Sequence, residues 1–104
     1  MRSYKVVFSP AAVDQLGNLA AYIAEQAGRK TAVRYIAKIE QHCKSLKTAP
    51  LRGRARDDLF PGLRIMGFGK RVNIAFSVGA NTVIIHGVFY GGQDIDNIVA
   101  DEKI

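Results

Sequence analysis

Arg52, Arg54 and Arg56 stand at alternate positions within residues 49–58, and Arg64 and Arg71 follow before the next apolar segments. A guanidinium is planar and always charged, so it grips a phosphate or a carboxylate with two parallel bonds. Cleaving RNA needs such cations, a group that activates the 2′-hydroxyl and a group that protonates the leaving oxygen. Tyr90 and His86 are candidates for the proton work, because they share a parity near the end of the apolar segment Val83–Tyr90. By strand alternation, Arg64 and Arg71 are expected on the sheet face opposite the helices. Arg54, Arg64, Arg71 and Tyr90 could then form a phosphate-binding face with a base. The same arginines, with Arg52 and Arg56, could equally be a docking surface for an acidic protein. One histidine on an apolar strand reads first as a hydrogen-bonded structural residue.

Other reactive side chains offer less. Cys43 falls on an apolar helical stripe and reads as core, and as the single cysteine it can form no internal disulfide. Its neighbour His42 points about 100° away on a helix, so the two cannot share a metal. No other cluster has metal-ligand spacing, and no metal or cofactor is expected. Gly67-x-Gly69 and Gly91-Gly92 lack the strand–loop–helix setting of a phosphate loop and read as turns.

The elements that must position these groups follow from periodicity. Tyr4, Val6 and Phe8 alternate as a short strand, expected at a sheet edge. Ser9-Pro10 offers an N-cap and a proline at the first helical position. Val13, Leu16, Ala20, Ile23 and Ala27 then recur at helical spacing with Leu19 beside them, and Gly28 is a left-handed stop. A second helix from about Thr31 to Thr48 buries Ala32, Ile36, Ile39, Cys43 and Leu46, giving an antiparallel helical hairpin. Residues 49–58 read as an irregular loop. Leu63–Met66 starts a three-stranded meander. In its second strand Val72, Ile74, Phe76 and Val78 share one face, and Arg71, Asn73, Ala75 and Ser77 the other. Val83–Tyr90 is apolar almost throughout, so it should be a central strand covered on both sides. Asp94 caps a short last helix. The fold class is α+β: N-terminal strand, helical hairpin, three-stranded antiparallel meander and C-terminal helix, in one domain over 1–104.

Charge is uneven. Residues 29–71 hold twelve lysines and arginines against three acids, while 94–104 hold four acids against Lys103. The basic middle suits nucleic acid, a nucleic-acid enzyme or an acidic protein. The apolar run after Lys5 is too short for a secretory core, and no run approaches the roughly 20 residues of a membrane span. A cytoplasmic protein is expected, with no membrane partner.

The order of motifs resembles the RelE/ParE superfamily of toxins from type II toxin–antitoxin systems, in its ParE-like branch. Phe8-Ser9-Pro10-Ala11-Ala12, then Leu16 and Tyr22-Ile23, is similar to the family's opening. Leu46, Pro50 and Gly53 match its helix-to-sheet junction, Pro61-Gly62-Leu63-Arg64 its entry to the sheet, and Arg71–Phe76 its next strand. Val88-Phe89-Tyr90-Gly91-Gly92-Gln93-Asp94 resembles the ending of one ParE-like branch, with Gln93 where arginine is usual and Phe76 where tyrosine is frequent. The resemblance spans nearly the whole chain. It implies a toxin that binds and inhibits DNA gyrase with no catalytic residues of its own, docking through Arg52, Arg54, Arg56, Arg64 and Arg71. It also implies a cognate antitoxin, ParD-like or similar, in a hetero-oligomer; the basic second helix with Arg34 and Lys38 and the tyrosines Tyr22 and Tyr35 could receive it, or the two tyrosines could simply cap the helical hairpin. No direct sequence-specific DNA binding is expected of the toxin. Two alternatives stand beside this reading. One is a RelE-like, ribosome-dependent mRNA endoribonuclease, which the acids after Tyr90 match poorly. The other is a degenerate member that only binds its antitoxin.

Overall fold

A computed structural model describes residues 3–91. The chain runs β1 (Lys5–Phe8), α1 (Pro10–Ala27), α2 (Arg29–Lys44), a 3-10 turn (Ser45–Lys47), β2 (Arg54–Ala55), β3 (Leu63–Phe68), β4 (Val72–Val78) and β5 (Thr82–Tyr90). The expected last helix, with Gln93 and Asp94, lies outside the described residues.

The five strands form one sheet in the order β1-β5-β4-β3-β2. The meander β3-β4-β5 is antiparallel, β1 is an edge strand parallel to β5, and the helical hairpin covers one face. The architecture is therefore α+β, with five strands where four were expected. The extra one, β2, is two residues of the stretch read as loop, and it pairs with β3 through Arg54 opposite Ile65 and Ala55 opposite Arg64. Two exposed residues carry no periodicity, and only the pairing partner makes them a strand.

Local chemistry explains the hairpin. The Ser9 hydroxyl accepts the Ala12 amide at 3.1 Å and donates to the His86 carbonyl at 3.1 Å, so it caps α1 and ties it to β5. Pro10 fills the first helical position. Gly28, at φ +95°, donates to Ala24 O and accepts from Ala32 N, so one residue ends α1 and starts α2.

The main core lies between the hairpin and the sheet and holds Leu16, Ile39, Cys43, Leu46, Ile74, Phe76, Val83 and Ile85. The buried stripe of α1 is Ala12, Leu16, Leu19 and Ile23. The expected members Val13, Ala20 and Ala27 are not fully buried, and Val13 is 56% exposed. The apolar arc of α1 is wider than the sheet covers, and its surplus faces the seam with α2. A second, smaller core lies on the other face: Leu63, Ile65, Ala75 and Phe89 under Leu59 and Phe60. Ala75, expected on an exposed face, is completely buried there.

A β-bulge interrupts the β4–β5 pairing. Ala75 faces Gly87 but Phe76 faces Ile85, which leaves His86 as the extra residue on β5.

Candidate functional site

The sheet register separates the residues that the sequence grouped. Arg64 lies opposite Phe76, a main-core residue, so it is on the helix side and not on the opposite face. Its guanidinium donates to the carbonyls of Arg52 at 2.8 Å, Leu51 at 3.1 Å and Gly53 at 3.3 Å. That fork holds the loop after α2 against the sheet. Arg71 belongs to the β3–β4 turn, beyond the strand whose alternation was used to orient it. It too sits on the α1 side, in a cleft with Tyr22 and Tyr90.

The bulge also separates His86 from Tyr90. Tyr90 packs against the main core on the helix side and meets the Tyr22 ring at a tilt, with ring centroids 5.6 Å apart. His86 points to the other face, where its Nε2 is 2.7 Å from the Ser77 hydroxyl and its ring meets Phe60 edge-on at 5.5 Å. One inserted residue reverses the parity between them. Burial lowers the His86 pKa, which favours the neutral ring.

The remaining arginines divide between internal bonds and solvent. Arg52 donates to the Ser45 hydroxyl at 2.7 Å. Arg56 forms a two-bond pair with the Asp58 carboxylate, each bond 2.9 Å, and this holds that exposed carboxyl below its usual pKa. Arg54 is exposed on β2 and shares the sheet face opposite the helices with His86. Three strand spacings separate their strands, however, which is roughly 14 Å. Among the described residues Arg71 and Tyr90 share one cleft, but no second arginine and no histidine line it. Sequence alternation could not anticipate this, because it carries no record of the bulge.

The expected antitoxin-binding residues also divide. Tyr35 packs edge-on against Phe68 at 5.7 Å; burial first, then Tyr90 nearby, raises its pKa. Tyr22 is 48% exposed beside Tyr90. Arg34 and Lys38 are exposed on α2. A different part of the hairpin carries a feature that sequence reading missed. The seam between α1 and α2 holds two adjoining apolar cavities of about 470 and 340 Å³ that share Ala20, Ile36 and Glu40. Val33 at its margin is 64% exposed. The signal was present in the small residues Gly17, Ala20, Ala21, Ala24 and Ala37, which leave a groove where larger side chains would fill it.

Cys43 is completely buried, and burial, with Glu40 second, pushes its thiol up to about 12, as expected of a core cysteine. No group of three His, Cys, Asp or Glu that could hold a metal occurs among the described residues. No described helix is long and apolar enough to cross a membrane.

Comparison with known proteins agrees with this architecture. A solved chromosomal ParDE toxin–antitoxin system from P. aeruginosa superposes with a TM-score of 0.74 at 17% identity, covering 86% of this chain and 97% of that one. The RelBE2 toxin–antitoxin complex from Mycobacterium tuberculosis gives 0.66 at 21% identity, covering 89% and 97%. At these identities the likeness is one of fold. No curated protein matches the sequence. The family model for the ParE toxin of the type II toxin–antitoxin system parDE matches residues 6–95, and the chain belongs to that family.

Proposed function

We propose that this protein acts in the cytoplasm as the toxin of a type II pair, binding DNA gyrase and arresting growth without cleaving nucleic acid. The observation that carries this reading is the separation of the chemistry. His86 and Ser77 lie on one sheet face, Arg64 and Arg71 on the other, and Arg52, Arg56 and Arg64 are bonded within the chain. A phosphoryl-transfer site needs those groups at one reacting centre. The exposed cations that remain, Arg54 and Arg71 foremost, suit a protein docking surface.

A cognate antitoxin, ParD-like or similar, completes the proposal as the neutralising partner in a hetero-oligomer. The apolar seam of the hairpin, with Arg29 at its margin, suits the apolar face of an amphipathic segment that orders on binding, and Arg34 and Lys38, exposed elsewhere on α2, would meet acidic residues of the same partner. Tyr22 and Tyr35 would contribute from beside Tyr90, outside that seam.

The second reading, a ribosome-dependent mRNA endoribonuclease using Arg54, Arg64, Arg71 and Tyr90, draws support from the short Ser77–His86 contact on the sheet face opposite the helices, where burial favours the uncharged imidazole. Expression of the chain alone in bacteria, with pulse-labelling of DNA and protein synthesis in the first minutes, separates the two. Gyrase poisoning stops DNA synthesis first, and purified protein at micromolar concentration inhibits supercoiling. Early arrest of protein synthesis with supercoiling untouched would refute the gyrase reading. Normal growth under strong expression would leave only antitoxin binding.

A further inference from the structure

We propose that the cleft between α1 and the end of β5 binds a nucleoside phosphate, with the base against the Tyr22 ring and the phosphate on Arg71. The cleft exists because β1 is short. It pairs with β5 only as far as Ile85, so the C-terminal half of β5 is covered on that side by α1. Gln15, Asn18 and Tyr22 form one wall at helical spacing, and Tyr90, Gly91 and Arg71 form the other. The buried Leu19 and Val88 contribute the apolar floor. The space is about 490 Å³, within the roughly 300–1,000 Å³ usual for small-ligand sites.

The lining selects a ligand class. Among the described residues no acid lines the cleft, and the one charged residue in its walls is Arg71. The Arg71 carbonyl accepts the Gly91 amide at 2.8 Å, but its exposed guanidinium, unlike those of Arg52, Arg56 and Arg64, has no hydrogen bond or ion pair among the described residues. The Gln15 side-chain oxygen accepts the Val88 amide at 2.7 Å, which leaves its NH₂ as the end that can serve a ligand. A guanidinium and amide donors without a carboxylate suit an anionic, oxygen-rich group. Tyr22, half exposed and set at 54° to Tyr90, offers a ring face for stacking, and base–aromatic stacking tolerates any base. A ring carrying a phosphate satisfies both halves, and a nucleotide is that combination. It could be a free mononucleotide or the end of a single strand. The site shares Arg71 with the proposed docking surface and Tyr22 with the proposed antitoxin contact, lies on the side of the sheet away from His86, and is read by nucleotide binding rather than by supercoiling or growth.

The test is a titration of the full ¹⁵N-labelled chain with AMP, up to about 10 mM, followed by amide shifts. Saturable shifts at Asn18, Tyr22, Arg71 and Gly91 are expected. Tyr22→Ala and Arg71→Ala should each weaken binding about tenfold, and Tyr22→Phe should not. Both side chains are exposed, and an unchanged spectrum elsewhere verifies the fold of each variant. A tetraadenylate binding at least about tenfold tighter than AMP identifies a strand end; equal affinity identifies the free nucleotide. The proposal is overturned by any of three results: no saturable shift, shifts centred on residues 52–56, or inorganic phosphate binding as well as AMP with Tyr22→Ala without effect.

Discussion

Arg64→Met removes the three donors that hold the loop after α2 while keeping most of the aliphatic stem. The Nε bond to Arg52 O, at 2.8 Å, is the shortest and part-buried; the two Nη2 bonds, at 3.1 and 3.3 Å, are solvent-exposed. A hydrogen bond from a charged donor contributes about 1.5–3 kcal/mol where water is excluded, and much less where water can replace it. About 1.5 kcal/mol for the first bond and about 0.5 for the exposed pair give a loss of roughly 2 kcal/mol. For a domain of this size that lowers Tm by roughly 10 °C. Arg64→Lys keeps the charge but loses the fork, so it should recover less than about half of the loss. Thermal unfolding at pH 7, followed by far-UV circular dichroism, reads both variants, and growth arrest is measured beside it. If Arg64→Met melts within about 2 °C of the parent yet no longer arrests growth, Arg64 acts on a target and the anchoring argument is wrong.

Three further outcomes follow from the geometry. Cys43, with its thiol near 12 and completely buried, should resist thiol reagents at pH 8 in the native protein and react at once in denaturant, as followed by chromogenic disulfide exchange. His86 has a folded-state pKa below the ordinary 6.5, so the unfolded chain binds its proton first; stability should fall as pH drops through about 6.5 and level off below the folded pKa. His86→Gln should flatten that part of the Tm–pH curve, and an unchanged slope would assign it to other groups. Gly53 has φ +72°, and a Cβ there would overlap the Ile65 carbonyl, so Gly53→Ala should cost more than about 2 kcal/mol in a chemical denaturation experiment.

Much of the fold follows from short-range rules. Ser9-Pro10 and Gly28 bound the first helix because capping and left-handed backbone are properties of single residues. Ala32, Ile39, Cys43 and Leu46 are buried as their spacing requires, although α2 begins at Arg29 and its end tightens into the turn Ser45–Lys47. The meander is legible because Val72, Ile74 and Phe76 alternate toward a core. The edge position of β1 follows from the long helical excursion after Phe8.

The sequence by itself determined the periods, the stops and the net basic charge of the middle of the chain. Only the tertiary structure decided the phases. His86 enters a bulge through the pairing of β5 with β4, and that single insertion sends its ring to one face and Tyr90 to the other. Arg64 becomes an anchor because the carbonyls of residues 51–53 arrive beside it from a loop eleven to thirteen positions away. Arg71 meets Tyr22 because β1 stops short and α1 closes over the rest of β5. Periodicity is written in neighbouring residues. Which arginine is bonded within the chain and which stays open to a ligand depends on backbone groups far away along it.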